Sequence, residues 1–152
     1  PLIKFRACRD ARRITGDAME VRGGCGYIEE WSDPRLVRDA HLGSIWEGTS
    51  NIVALDVLRA IRREEALPAV RQAFPDDPHI AKAGAFALRS DEAHARQAAS
   101  ALYYATAAAI LEREGERLPR RRRIAELVRR HRLETREPYE RTEPSFEDLL
   151  PV

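Results

Sequence analysis

The chain has 152 residues, of which 26 are basic, 25 are acidic and 43% are apolar, and its formal net charge is +1. These values describe a chain of one-domain size that can bury a real core. No apolar run is long enough to span a membrane, which excludes a membrane span, and no signal peptide is visible. The two cysteines make no metal site, and we expect reduced thiols in a cytoplasmic protein.

The start of the chain is unusual, because Pro1 stands inside an apparent helix and the only methionine is Met19. This start predicts a piece of a longer polypeptide. Of the 26 basic residues only Lys4 and Lys82 are lysines, a bias that genome composition explains as well as function does.

Alanine, leucine, arginine and glutamate dominate the sequence, and the period-two alternation of β-strands is almost absent. The fold class is therefore predicted to be all-α, a helical bundle. The first helix is predicted over 2–21 and ends at Gly23-Gly24. Its small and apolar residues recur at steps of three and four, namely Ile3, Ala7, Ala11, Ile14 and Ala18.

A second helix is predicted to begin at Asp33 as the cap, with Pro34 at its first position, and to run to about Ala40. A loop over 43–48 follows.

The next helix is predicted to begin with Ser50 or Asn51 as its cap. Its core-facing stripe is expected to consist of Ile52, Leu55, Leu58 and Ile61, with Arg59, Arg62 and Arg63 outside.

The remainder of the chain is predicted to be helical as well. Pro68 opens or kinks a short helical piece, and residues 74–78, with two prolines and two aspartates, form a linker. Helices are then predicted over 79–88 and from residue 90 or 91 to 114. A small-residue face of the long helix suits close packing, and it consists of Ala98, Ala101, Leu102, Ala105, Ala109 and Ile110.

The last part of the chain is strongly polarised in charge. Residues 117–132 hold eight arginines and one acid, whereas residues 133–152 hold six acids and two arginines. We predict an arginine-rich helix over 119–133 and an extended tail from Glu134 onward.

The first candidate functional segment is Gly23-Gly24-Cys25-Gly26-Tyr27. Its three glycines let the backbone approach a ligand closely and turn several N–H groups toward one point, which suits a phosphate or pyrophosphate. A tight turn between two helices explains the same residues without a ligand. The segment is no dinucleotide-fold fingerprint, because no strand precedes it.

The second segment is Ile45-Trp46-Glu47-Gly48-Thr49-Ser50-Asn51. A carboxylate pressed against Trp46 loses solvation, which suits a general base. The three small polar residues that follow can offer side-chain and helix N-terminal donors to an anion or a polar ring. A capping arrangement with an exposed glutamate is the alternative interpretation.

Taken together, the motifs resemble the C-terminal helical domain of the acyl-CoA dehydrogenases over roughly the first 63 residues. The resemblance is carried, in this order and spacing, by Gly23-Gly24-Cys25-Gly26-Tyr27, Arg38-Asp39-Ala40 and Ile45-Trp46-Glu47-Gly48-Thr49-Ser50-Asn51-Ile52.

The resemblance implies an oxidoreductase that uses FAD to convert an acyl-CoA thioester into its trans-2-enoyl product. Glu47 matches the family's common base, which removes the α-proton while hydride leaves the β-carbon for flavin N5. Glu47, through its backbone N–H, and Gly48 are the implied substrate contacts, and the N–H would stabilise enolate-like charge.

The resemblance also implies the cofactor site and the partners. Trp46, Thr49 and Asn51 match positions that border or contact FAD, and Gly23, Gly24 and Gly26 match a turn that touches its adenosine diphosphate half, commonly in a neighbouring subunit. The implied partners are an acyl-CoA substrate, electron-transfer flavoprotein as electron acceptor, and further copies of the chain in a homodimer or homotetramer. No metal is expected, and residues 1–152 alone are expected to be inactive, because two further domains complete the pockets in the family.

A competing function comes from a similarity to the alkylation-response, AidB-like branch of the same family, whose helical C-terminal region is associated with DNA. The arginines that would neutralise phosphates are Arg120, Arg121, Arg122 and Arg123. The acidic tail or a subunit interface offers these arginines other partners. A pure oligomerisation domain is a third interpretation, since the alanine-rich helix would pack well on other helices.

Three regions are predicted along the chain. Residues 1–63 form the family's helical core with the flavin and catalytic motifs, residues 64–133 an additional helical region, and residues 134–152 an acidic extended tail.

Overall fold

The structure, a computed structural model, describes residues 1–135, and these contain helices and no strand. The all-α prediction is confirmed. In chain order the helices are α1 (Leu2–Val21), α2 (Gly24–Tyr27), α3 (Asp33–Leu42), α4 (Ser50–Arg63), α5 (Ala66–Ala73), α6 (Pro78–Arg89), α7 (Ala95–Glu114) and α8 (Pro119–Arg132). The acidic tail lies outside the described residues, apart from its first two positions.

Helix α1 packs against α3 and, less extensively, against α2, α4 and α7. Its only fully buried side chain is Phe5, which joins the main core. Two apolar residues of the periodic set in this helix, Ile3 and Ile14, are 76% and 56% exposed. The helix prediction was correct in its bounds, and these two residues do not face the core of residues 1–135.

Helix α4 lies at the centre of the molecule, in contact with α1, α5, α6 and α7. The predicted stripe is correct at Leu58 and Ile61, which are buried, and wrong at Ile52, which is 52% exposed. The face that is buried is displaced around the helix and consists of Val53, Ala54, Val57, Leu58, Ala60 and Ile61.

Helix α7 packs on α4, α6 and α8. The small-residue face is confirmed, because Ala98, Leu102, Ala105 and Ala109 are buried, although Ile110 is 42% exposed. Alanine side chains let the helix axes approach closely, and this closeness allows one helix to contact several neighbours.

The start of α7 differs from the prediction by about one turn. The backbone N–H of His94 donates to the Asp91 carboxylate at 3.1 Å, and the His94 ring nitrogen Nδ1 lies 2.6 Å from the same oxygen. These bonds keep the pKa of Asp91 below its ordinary value. The local turn over residues 91–94 replaces the first predicted turn of helix.

Two capping predictions were also wrong. Asp33 is the first residue of α3 and Ser32 is its N-cap, and the Asp33 carboxylate pairs with Arg22 at 3.2 Å instead of capping. The N-cap of α4 is Thr49 and not Ser50 or Asn51, and its side chain makes no capping bond. Within residues 1–135, no helix is long and apolar enough to cross a membrane.

Candidate functional site

The turn that carries Glu47 joins α3 to α4 and is anchored at its beginning to α3. The backbone N–H groups of Ile45 and Trp46 both donate to the Leu42 carbonyl oxygen at 2.9 Å. Ser44 is buried, and its hydroxyl donates to the Cys8 carbonyl oxygen of α1 at 3.4 Å. The first half of the turn therefore has a fixed position against α1 and α3.

The second half of the turn is held by a residue far away in the sequence. The Lys4 ammonium group on α1 donates to the Glu47 carbonyl oxygen at 3.0 Å and also to the Trp46 carbonyl oxygen. Sequence reasoning missed this role of Lys4. A signal was available, because Lys4 is one of only two lysines among 26 basic residues.

Glu47 adopts a left-handed backbone conformation, with φ of 53°, and Gly48 follows with φ of 104°. A residue other than glycine is disfavoured in this region and keeps it only where the surrounding structure enforces it. The Glu47 side chain is exposed and has no ion pair with any residue of 1–135. Its backbone N–H also has no acceptor within the described part of the chain.

The expected burial of Glu47 against Trp46 is not present within this chain. Trp46 is 62% exposed, Ile45 is 65% exposed, and Glu47 itself is exposed. Glu47 therefore follows two exposed apolar side chains in the turn, and a further protein surface, a cofactor or a substrate would have to cover this region before the carboxylate lost solvent.

The N-terminus of α4 follows the Glu47 turn directly. The side chains of Thr49, Ser50 and Asn51 make no hydrogen bond within residues 1–135, and Thr49 and Asn51 are exposed. The first N–H groups of a helix have no intrahelical acceptor, so donors from backbone and side chains collect here. This donor set fits the anionic or polar parts of a cofactor such as FAD.

The glycine turn after α1 contains the one-turn helix α2, with Gly23 as its N-cap. Gly23 has φ of 59°, which favours glycine. A Cβ at Gly24 would meet no atom within 4 Å, whereas one at Gly26 would lie 2.2 Å from the Met19 carbonyl oxygen. Backbone conformation thus explains a glycine at position 23, and close packing explains Gly26. At Gly24 there is open space beside the backbone.

The structure does not bring the two motifs together. Lys4, which binds the Glu47 turn, and Val21, which precedes the glycine turn, lie near opposite ends of α1. The helical rise between them is about 25 Å. The two motifs of one chain therefore lie on separate parts of its surface.

The third part of the resemblance, Arg38-Asp39-Ala40, has a structural role. The Arg38 guanidinium donates to both carboxylate oxygens of Glu29 at 2.7 and 3.0 Å, and this bidentate bond keeps the pKa of Glu29 below its ordinary value. Arg22 pairs with Asp33 and lies over the Trp31 ring at 4.9 Å. These contacts fix the segment between α2 and α3.

The arginines proposed for nucleic-acid binding are largely paired with acids. Arg121 pairs with Glu114, Arg122 with Glu112 at 3.0 Å, and Arg123 with Glu126 at 2.7 Å. Of the four, Arg120 has no carboxylate partner within residues 1–135. Two of the acids belong to the end of α7, where sequence reasoning named only the tail or another subunit. Nucleic-acid binding stays a prediction.

No cluster of three or more histidine, cysteine or acidic side chains that could hold a metal ion occurs in the part of the chain that the structure describes. Cys25 is exposed and Cys8 half-buried, and both are free thiols.

Residues 1–62 match the family model described as the C-terminal domain of acyl-CoA dehydrogenase. The AidB protein of Escherichia coli (strain K12) is 47% identical over 64 residues, which are 42% of this chain and 12% of AidB. Acyl-CoA dehydrogenase family member 11 of Caenorhabditis elegans is 42% identical over 65 residues, which are 43% of this chain and 10% of that protein.

Cyclohexane-1-carbonyl-CoA dehydrogenase of Geobacter metallireducens is 41% identical over 63 residues, which are 41% of this chain and 17% of the enzyme. The chain thus spans less than a fifth of each of these relatives. No solved structure shows a significant match to it. The resemblance that the motifs indicate is thereby confirmed over residues 1–62, which are similar to the C-terminal domain of the acyl-CoA dehydrogenases.

Proposed function

We propose that the protein takes part in FAD-dependent oxidation of an acyl-CoA thioester at its α and β carbons, with Glu47 as the base. The family match of residues 1–62 supports the reaction class. The observation that carries the role of Glu47 is that the residue is exposed and that its carboxylate and its backbone N–H have no partner in residues 1–135, on a backbone held from two sides.

In the proposed reaction the Glu47 carboxylate removes a proton from the α-carbon, and the electrons of that C–H bond form the new double bond. The C–H bond at the β-carbon breaks at the same time, and its hydrogen leaves with both electrons. Bound FAD would supply the acceptor for this hydride. The thioester oxygen gains negative charge as the proton leaves, and a correctly placed N–H donor stabilises that charge.

The Glu47 N–H is the donor that we propose for the thioester oxygen, with Gly48 as the neighbouring substrate contact. One residue then supplies both the base and the hydrogen bond that acidifies the α-carbon. A carboxylate is a sensible base only if it is desolvated, because water stabilises its charged form. The exposed Trp46 and Ile45 side chains would provide that apolar environment once substrate and cofactor cover them.

We propose that Thr49 and Asn51, at the N-terminus of α4, hold polar groups of FAD, with Trp46 at its border. Gly23, Gly24 and Gly26 are proposed to contact the adenosine diphosphate half of FAD. The separation of about 25 Å along α1 favours contacts with two different FAD molecules, and hence a homodimer or homotetramer in which the glycine turn serves a neighbouring subunit.

Electron-transfer flavoprotein as the electron acceptor and a cytoplasmic location belong to the same proposal.

The test uses the full-length polypeptide that contains these residues, with a panel of straight-chain acyl-CoA thioesters from butyryl-CoA to palmitoyl-CoA and an electron-accepting dye. For Glu47→Gln we expect kcat to fall by at least about a hundredfold, because removal of a general base has effects of this size. Bound FAD, measured by its absorbance, should be unchanged in the variant.

Glu65→Gln is the matched control. Glu65 is the other non-glycine residue with positive φ in the described chain, at 51°, and it is also exposed. Its variant should keep the parent kcat. Parent-like turnover by Glu47→Gln would contradict the role of Glu47, and a parent protein without bound FAD would contradict the reaction class.

A further inference from the structure

We propose that Lys4 is a positioning residue that aims and polarises the Glu47 N–H by binding the carbonyl oxygens on either side of it in the backbone. This inference rests on the proposed function, in which the Glu47 N–H binds the thioester oxygen. Lys4 lies on α1, 42 residues before Trp46, and the residue is half-buried.

The first step concerns direction. The Trp46 carbonyl and the Glu47 N–H belong to one peptide unit, which is planar and trans, so that the C=O and the N–H point in opposite directions. When the Lys4 ammonium binds the Trp46 oxygen, the Glu47 N–H must point away from α1. The N–H is thereby kept free of the chain and available to a ligand.

The second step concerns strength. A positive charge at the carbonyl oxygen draws electron density from the peptide unit, and hydrogen bonds in a chain polarise one another. The Glu47 N–H is thus a stronger donor when Lys4 binds the Trp46 oxygen. Such a donor favours the enolate-like transition state more than the neutral thioester, so the effect belongs mainly to kcat.

The third step concerns the backbone conformation. Lys4 also binds the Glu47 carbonyl oxygen at 3.0 Å, on the following peptide unit. A lysine ammonium has three donors on a compact charge, so it can bind two successive carbonyl groups at once. The two bonds together hold Glu47 at φ of 53°.

Glu65 provides a comparison, since it has nearly the same φ, but no lysine binds its carbonyl oxygen within residues 1–135. It connects α4 directly to α5, and the two adjacent helices determine its backbone. Glu47 lies in a connection of seven residues, 43–49, where neighbouring helices alone leave more freedom. The long-range contact from Lys4 therefore supplies the restraint on the Glu47 backbone that the neighbouring helices do not.

The experiment uses the full-length polypeptide with Lys4→Met, which removes the ammonium, and Lys4→Arg, which keeps a charge in another geometry. Lys82→Met is the matched control, because Lys82 is the other lysine of residues 1–152 and lies on α6, away from the turn. Hydrogen exchange of the Ile45 and Trp46 amides reports the turn, and steady-state kinetics with the same acyl-CoA panel report the reaction.

For Lys4→Met we expect exchange at the two amides to accelerate about tenfold, as the loss of a charged hydrogen bond allows. We expect kcat to fall at least about tenfold with KM changed less than about twofold, because the interaction is strongest in the transition state. Lys4→Arg should recover part of kcat, and Lys82→Met should match the parent in both measurements. Circular dichroism checks that each variant folds.

The proposal is overturned if Lys4→Met exchanges and turns over like Lys82→Met, or if the turn loosens while kcat stays at the parent value. A rise in KM with kcat unchanged also overturns it. If the parent oxidises no acyl-CoA, or Glu47→Gln keeps full activity, the proposed function fails and with it the catalytic part of this inference. Hydrogen exchange then still shows whether Lys4 holds the turn.

Discussion

The three glycines of the turn after α1 differ in what a side chain would meet at each position. At Gly26 an added Cβ would lie 2.2 Å from the Met19 carbonyl oxygen and 2.9 Å from the Arg22 Cβ, so α1 and α2 could not keep their separation. At Gly24 no atom lies within 4 Å of such a Cβ. The same residue type thus serves close packing at one position and leaves free surface at the other.

This difference predicts the stability of two variants. Gly26→Ala should lower the free energy of unfolding by about 2 kcal/mol, because overpacking against backbone atoms has costs of this size. Gly24→Ala should change it by less than about 0.5 kcal/mol, as at most surface positions. Urea unfolding of both variants measures the difference, and equal midpoints would show that α2 does not pack on α1 as described.

The exposed state of Trp46 is a second residue-scale feature. The Trp46 indole is 62% exposed, although tryptophan side chains are highly buried on average in folded proteins. Three isoleucines close in sequence to Lys4 or to Glu47 are exposed as well, namely Ile3, Ile45 and Ile52. Residues 1–52 thus have apolar surface that the described chain leaves uncovered.

At the scale of elements, the start of α6 is capped by a side chain. The Asp77 side chain accepts hydrogen bonds from the N–H groups of His79 and Ile80, both at 2.9 Å, and Pro78 stands at the first helical position. Arg129 of α8 lies 3.6 Å from the other oxygen of the same carboxylate. Asp77 therefore both caps α6 and connects it to α8.

Asp77→Ala should lower the free energy of unfolding by about 1 to 2 kcal/mol, the usual cost of losing such a cap. Asp76→Ala is the control, because Asp76 is exposed and caps no helix. Thermal unfolding at neutral pH compares the two. A similar loss in both variants would point to the net charge of the segment and not to the cap.

Sequence periodicity predicted most helix bounds to within one or two residues, and α1 is an example, with bounds at Leu2 and Val21. Gly and Pro residues mark the ends of such helices by backbone geometry alone, which is a local property. The buried face of α4 was not predictable to the same degree. Ile52 and Val53 are both apolar, and only the packing of the neighbouring helices on α4 decides that Val53 is the buried one.

At the scale of the whole molecule, one hydrophobic core joins the two ends of the described chain. It contains Phe5 from α1, the buried face of α4, Leu67 from α5, and residues of α6 and α7. The predicted division at residue 63 therefore lies between helices that share a core. Whether residues 64–133 form a separate unit stays a prediction.

The shared core predicts the behaviour of a truncated chain. Residues 1–63 alone would expose Val53, Val57, Leu58 and Ile61, which α5, α6 and α7 otherwise help to cover. Full exposure of each such side chain costs about 1.5 to 3 kcal/mol. The sum over these side chains exceeds the free energy of unfolding that a small helical fragment has. Circular dichroism should show little helix in 1–63 and a cooperative transition in the full chain. Stable helical structure in 1–63 would show that the first region folds alone.

The sequence by itself determined the helical fold class, most helix bounds, the similarity of residues 1–62 to the C-terminal domain of the acyl-CoA dehydrogenases, and the two candidate motifs. Propensity, turn residues and motif spacing are properties of neighbouring residues. The tertiary structure decided which helix faces are buried and which arginines are paired. It also placed the two motifs near opposite ends of α1 and brought Lys4 to the Glu47 turn. These features depend on contacts between residues far apart in the chain, and no local pattern encodes such contacts.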